Sequence, residues 1–242
     1  MHFTESDIGA FVAVLCRVGG LAVTAPVIGD PGTSQRARLT FVLAVSAVLG
    51  PARAGVAFDA LPMIGAAELA IGLVTGLIAR IITTRVAIAG QLMGLSLGLG
   101  FASQYDVHAG ESASVLRTLL TTLAAFAFLT AGGLEAIVRS AAAAPANLGD
   151  LPELGQAFVR HATAAFGHGI LLAAPVLLAS FVGNIALAVM NRAAPAVNVF
   201  SVALSAVMIL GGLVLLSTAA HLVAGLVDTA RSSIDVLAHP GG

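Results

Sequence analysis

Ala162 to Asn191 is a run of 30 residues without Asp, Glu, Lys or Arg, and after Arg192 another 35, Ala193 to Val227, also lack them. At about 1.5 Å per helical residue each run outreaches the roughly 30 Å hydrocarbon core of a bilayer. No soluble domain has the polar shell to cover two such segments. Charged residues are only 10% of the chain, hydrophobic residues 58%, and the mean hydropathy is +1.01. The fold class predicted is therefore all-α, a polytopic integral membrane protein.

The remaining apolar segments are shorter and uneven. Ile8 to Ile28 contains Arg17 and ends near Pro26; Leu39 to Leu49 stops at Gly50-Pro51; Leu61 to Ala79 carries Glu68; Val86 to Ser103 has no formal charge; Thr118 to Leu134 is the fifth. Residues 135 to 160 read as a short helix followed by a loop. Spans both far too short and far too long predict broken, tilted or partly re-entrant helices, with Pro175 and Pro195 as kinks. Arg80 and Arg85 read as a loop closing the third segment. With Arg36 and Arg38 they predict one shared cytoplasmic side. The acidic start, MHFTESD, lacks the positive region of a signal peptide, so the first apolar stretch is expected to be retained.

Several functions are disfavoured. The net charge is −1 with no basic run, so no nucleic acid is expected as partner. Cys16 is the sole cysteine, which excludes an intrachain disulfide and a cysteine metal cluster. His161 and His168 are seven apart without an accompanying carboxylate pattern, and no cofactor is expected. Gly94-Leu95-Ser96-Leu97-Gly98 matches the GxSxG nucleophile elbow, but it lies in an apolar helical run where that chemistry has no strand-to-helix turn. No catalytic residue is assigned.

Four constellations remain. Gly90, Gly94, Gly98 and Ala102 recur at four-residue spacing, as do Gly72 and Gly76, and such rows let helices approach closely. Arg17 and Glu68 are ionisable groups inside apolar segments, each costing about 2.5–3.5 kcal/mol at a helix centre. They read either as pore lining or proton relay, or as an interhelix ion pair or snorkelling side chains. The polar stretch from Gln104 to Ser114 is an exterior loop or a channel mouth. Around Pro195, the run from Met190 to Phe200 reads as a helix-to-helix turn with Asn side chains serving carbonyls that the proline leaves free.

That run, Arg192-Ala193-Ala194-Pro195-Ala196-Val197-Asn198-Val199-Phe200, resembles the R-x-x-P-x-x-N-x-F stretch of the FliR family, the flagellar type III export-gate subunits. Arg17 with Ala25-Pro26-Val27-Ile28-Gly29 resembles the family's N-terminal Arg and P-x-x-G. Glu68, Gly72 and Gly76 resemble its E-x-x-x-G-x-x-x-G segment, and Ala89-Gly90-Gln91 with Gly94 and Gly98 its glycine-rich helix. Val107 stands where the family often has Pro, and Ala196 where it has Gln.

The resemblance implies a subunit with no enzymatic activity, which forms a protein-export channel with FliP-like and FliQ-like partners. That channel works with FlhA and FlhB in the bacterial inner membrane, within the flagellar basal body. Unfolded flagellar proteins in transit, and membrane lipid, are the other implied contacts. The resemblance also implies a FliP-like part over 1–155 followed by a FliQ-like hairpin over 156–242. The resemblance further implies a lumenal plug at about Phe101 to Leu116, including Tyr105, Asp106, Val107 and Gly110. The rivals are a virulence type III secretion homologue and, more remotely, an independent small-molecule transporter, which would show inverted repeats.

Overall fold

In the computed structural model residues 4–52, 55–98, 115–143, 149, 151–193 and 199–238 are described. Among them there are seven α-helices and no strand: α1 Glu5–Thr24, α2 Gln35–Leu49, α3 Leu61–Ser96, α4 Val115–Thr130, α5 Gly133–Ala142, α6 Leu151–Ala193 and α7 Val199–Ala238. A short 3₁₀ turn, Gly50–Ala52, follows α2.

The helix starts follow capping chemistry. The Asp7 carboxylate accepts from the Thr4 N–H at 2.9 Å and from its hydroxyl at 2.7 Å, which fixes the first turn of α1. Ser34 accepts from the Ala37 N–H at the start of α2. Helix α1 ends at Ala25, held extended because Pro26 follows. Gly132, with φ +90°, turns the chain from α4 into α5, and the two helices are bent by 61° as a broken span.

Four helical stretches are long and apolar enough to cross a membrane: α1, Leu61–Ile81 of α3, α6, and Ser205–Asp228 of α7. The bent α4–α5 pair makes a fifth if taken as one span. At 43 and 40 residues, α6 and α7 are about 60 Å long, twice a hydrocarbon core.

Two expectations are corrected. Arg80 and Arg85 lie in no loop, since α3 is one helix of 36 residues through both. Arginine is a good helix former, and no Gly or Pro stands between Gly76 and Gly90 to interrupt the turn. The orientation argument that treated these arginines as loop charges therefore loses its premise. Residues 151–160, expected as loop, open α6, with Pro152 in the first turn where proline is tolerated. Pro175 lies inside α6. Pro195 lies outside the described residues.

The chain forms two units. The first comprises residues 1–82, 128–163 and 230–242. Its core gathers Val14, Val18, Leu21 and Ala22 of α1 with Val42 of α2, Phe128, and Ile137 and Ala141 of α5. The second comprises 83–127 and 164–229, with a core of Val86, Ala89 and Met93 of α3, Leu120 and Ala124 of α4, Val176 of α6 and Leu222 and Leu226 of α7.

Candidate functional site

The first unit is organised around one face of α3. Glu68, Gly72, Gly76 and Arg80 recur every four residues, so they line one side of the helix. Against that side lies α1, running in the same direction: Arg17 stands beside Glu68 and Gly72, and Thr24 beside Gly76 and Arg80. The backbones meet. A Cβ on Gly72 would run into the Arg17 carbonyl, and one on Gly20 would come within 2.6 Å of the Leu69 oxygen. A Cβ on Gly76 would strike the Thr24 hydroxyl. Only glycine allows this approach.

At the centre of the crossing the Nε of Arg17 faces the Oε2 of Glu68. Both residues are buried, Glu68 completely and Arg17 at 3% exposure. Arg17 Nη1 also donates to the carbonyl of Ala143 at 3.0 Å, the residue that caps the C-terminus of α5. A cation there answers both the carboxylate and the negative end of a helix. Three elements, α1, α3 and α5, thus converge on one guanidinium.

The other end of the crossing has a second polar lock. Arg80 Nη2 donates to Asp30 Oδ1 at 2.7 Å and its Nη1 to the Thr24 carbonyl at 3.4 Å. Thr24 Oγ1 donates to the carbonyls of Gly20 and Leu73, both at 3.0 Å. Asp30 Oδ2 accepts from the Val27 N–H, and Val27 has φ +69°, a costly conformation for a β-branched residue. Arg38 Nε donates to the Ile28 carbonyl. The Asp30–Arg80 link was not foreseen. Its signal was present: Arg80 continues the Glu68–Gly72–Gly76 row, and Asp30 is the only acid in the turn after α1.

In the second unit, Gly90 brings α3 against α4: a Cβ there would lie 2.7 Å from the Arg117 Cα. Gly94 is buried. Gly98 does not extend this helical row. Helix α3 stops at Ser96, and Gly98 turns out of it with φ +74°, a left-handed exit open to glycine. Ser96 Oγ donates to the Met93 carbonyl at 2.9 Å and Ser180 Oγ to Ser96 Oγ at 3.5 Å, so the GxSxG serine forms a seam between helices.

Of the plug segment, only Val115 and Leu116 are described. Leu116 lies in the first turn of α4 and packs on the second core. Phe101, Tyr105, Asp106, Val107 and Gly110, with Ala102, lie outside the described residues. Arg192 is exposed near the end of α6 and Phe200 lies in the first turn of α7, while Pro195 and Asn198 are outside. His161 and His168 are both on α6, and no group of three metal-ligating side chains gathers among the described residues.

Helices α6 and α7 turn large apolar side chains outward, among them Phe166, Leu171, Phe181, Ile209 and Leu216. Only 17% of the apolar window of each is buried within the chain, against 50% for α1. Helices this apolar and this uncovered, joined to a glycine-lined crossing with a buried ion pair, define a polytopic helical membrane protein.

The sequence profile described as "Bacterial export proteins, family 1" matches residues 8–232. The chain is 31% identical over 214 residues to the flagellar biosynthetic protein FliR of Caulobacter vibrioides (strain ATCC 19089 / CIP 103742 / CB 15), covering 82% of this chain and 83% of that protein. It is 27% identical over 200 residues to the FliR of Pectobacterium carotovorum subsp. carotovorum, covering 77% and 75%. Identity is also 27% over 198 residues to the FliR of Escherichia coli (strain K12), with the same coverage. The chain belongs to the FliR family of flagellar biosynthetic export proteins.

Proposed function

We propose that this chain is a core subunit of the flagellar type III export gate in the bacterial inner membrane, forming with FliP-like and FliQ-like subunits the channel through which unfolded flagellar proteins leave the cell. The match of an export family over residues 8–232 carries this reading. The uncovered apolar faces of α6 and α7 support it, because they call for partner helices or lipid. In this reading the chain makes and breaks no bonds. FlhA-like and FlhB-like components engage the gate, and energy for export comes from elsewhere in the apparatus. The names of the relatives favour flagellar over virulence cargo.

Within this reading, residues 1–155 correspond to a FliP-like part and 156–242 to a FliQ-like hairpin, of which α6 and α7 are the arms. The segment Phe101–Leu116 acts as the plug: a small loop backed by apolar side chains blocks ions and yields to a polypeptide. Gly72 and Gly76 let α1 and α3 meet, Gly90 lets α3 and α4 meet, and the Arg17–Glu68 pair fixes the register of α1 on α3. The test is co-purification. The tagged chain, extracted in mild detergent, should elute with FliP-like and FliQ-like subunits at fixed ratios. Elution alone, from membranes that contain all three, would refute the assignment.

A further inference from the structure

Among the described residues Val27 alone of the non-glycines has a positive φ, +69°. It sits in the turn between α1 and α2. The Pro26 carbonyl accepts from the Ile28 N–H at 2.8 Å across it, so residues 26–28 form the γ-turn of positive φ. That form is rare and strained, and a β-branched side chain makes it costlier.

A residue in such a conformation persists only where its surroundings over-determine it. Here the surroundings do. Thr33 Oγ1 donates to the Val27 carbonyl, Arg38 Nε to the Ile28 carbonyl at 3.1 Å, and the Gly29 N–H to the Ala25 carbonyl at 2.9 Å. The Val27 N–H donates to Asp30 Oδ2 at 3.1 Å, while Oδ1 of the same carboxylate accepts from Arg80 Nη2 of α3 at 2.7 Å. One carboxylate thus ties the strained peptide to a second helix. The Arg80 and Asp30 side chains are 32% and 39% exposed, so water and ions reach the link.

The mirror γ-turn, with Val27 at negative φ, keeps the Pro26–Ile28 hydrogen bond and is the common, relaxed form. Reaching it turns over the peptide between Pro26 and Val27 and takes the Val27 N–H away from Asp30.

We propose that this turn is a two-state latch: the Asp30 carboxylate, itself held by Arg80, keeps Val27 in the strained hand, and ions that compete for that pair let the turn relax to the mirror form. The turn joins α1 to α2, so the latch acts on the elbow between them and leaves the Arg17–Glu68 crossing in place. The device is internal to this chain and does not depend on the gate reading.

Hydrogen–deuterium exchange of peptides covering 25–34 reads the latch, in the full chain extracted in mild detergent and with rates corrected for sequence. Asp30→Ala should speed exchange there about ten-fold, and Arg80→Gln should act in the same direction. Adding Val27→Gly to Asp30→Ala should bring the rate back toward that of the unaltered chain, because glycine holds a positive φ without strain. A merely structural Asp30 gives the opposite sign: glycine then only loosens the turn and gives up the packing of Val27 on the first core. Raising the salt from about 0.1 to 1 M shortens the screening length from about 10 to 3 Å, and should speed exchange in the unaltered chain more than in Val27→Gly. Peptides covering 5–24 should stay at their unaltered rate throughout. Faster exchange in the double variant than in Asp30→Ala alone would overturn the proposal. So would unchanged exchange in Asp30→Ala, an equal rise across 5–24, or salt-independent exchange in the unaltered chain.

Discussion

Arg17 of α1 and Glu68 of α3 are paired where the two helices cross on glycine, and the same Arg17 donates to the carbonyl of Ala143, the cap of α5. The two side chains are thus committed to packing. Removing one partner leaves a buried charge alone, at a cost of about 3–5 kcal/mol. Glu68→Gln and Arg17→Gln should each abolish recovery of folded chain from membranes, measured by size-exclusion yield after extraction. The charge-swapped double variant should recover more than either single change but less than the natural pair, because a Glu at position 17 would face the Ala143 carbonyl. Equal loss in all three variants would remove the pairing from the account.

The ion pairs rank by burial. Asp30 and Arg80 are about one-third exposed at the side chain, and Glu135 and Arg139 about 70% exposed. Exposed pairs contribute roughly 0.2–1 kcal/mol. Asp30→Asn should therefore lower the thermal midpoint of the extracted protein slightly, and Glu135→Gln hardly at all. A loss on Glu135→Gln matching that on Glu68→Gln would contradict this ranking.

Glycines should sort by what a methyl group would meet. Gly72→Ala places it on the Arg17 backbone, and Gly90→Ala on that of Arg117, whereas Gly19 has open space. The first two should sharply reduce assembled complex while membrane insertion persists. Gly94→Leu, at a buried position on the Gly90 side of α3, should do the same. Gly19→Ala should be neutral or should gain up to about 1 kcal/mol from helix propensity. Pull-down of partner subunits from equal amounts of inserted protein measures this, and normal assembly of Gly72→Ala would refute the close-packing role.

Much of this was legible in the sequence because it depends on types and spacing. Ionisable Arg17 and Glu68 in apolar segments, and the four-residue steps from Glu68 through Gly76, need only helix geometry to be placed. What was not legible depends on tertiary context. A charged pair such as Arg80 and Arg85 looks like a loop when hydropathy is read alone, yet Arg80 is satisfied within α3 by Asp30 and Thr24. Gly98 carries the same spacing as Gly90 and Gly94, but whether a glycine continues a helix or ends it is decided by where the chain must turn.

The plug assignment has its own test. Deleting Val107 to Ser112 should make the assembled complex leak ions in a planar bilayer, while the unaltered complex stays closed. Background conductance in the deleted form would make the segment an ordinary loop.

The gate assignment is tested most directly by export itself. In the source bacterium, hook and filament proteins are quantified in the culture medium of a strain lacking this chain and of the same strain carrying it on a plasmid. Loss of both proteins from the medium, with their synthesis in the cell retained, and return with the plasmid-borne chain but not with its Glu68→Gln form, is the predicted result. Continued export of flagellar proteins in the strain lacking the chain would contradict the account.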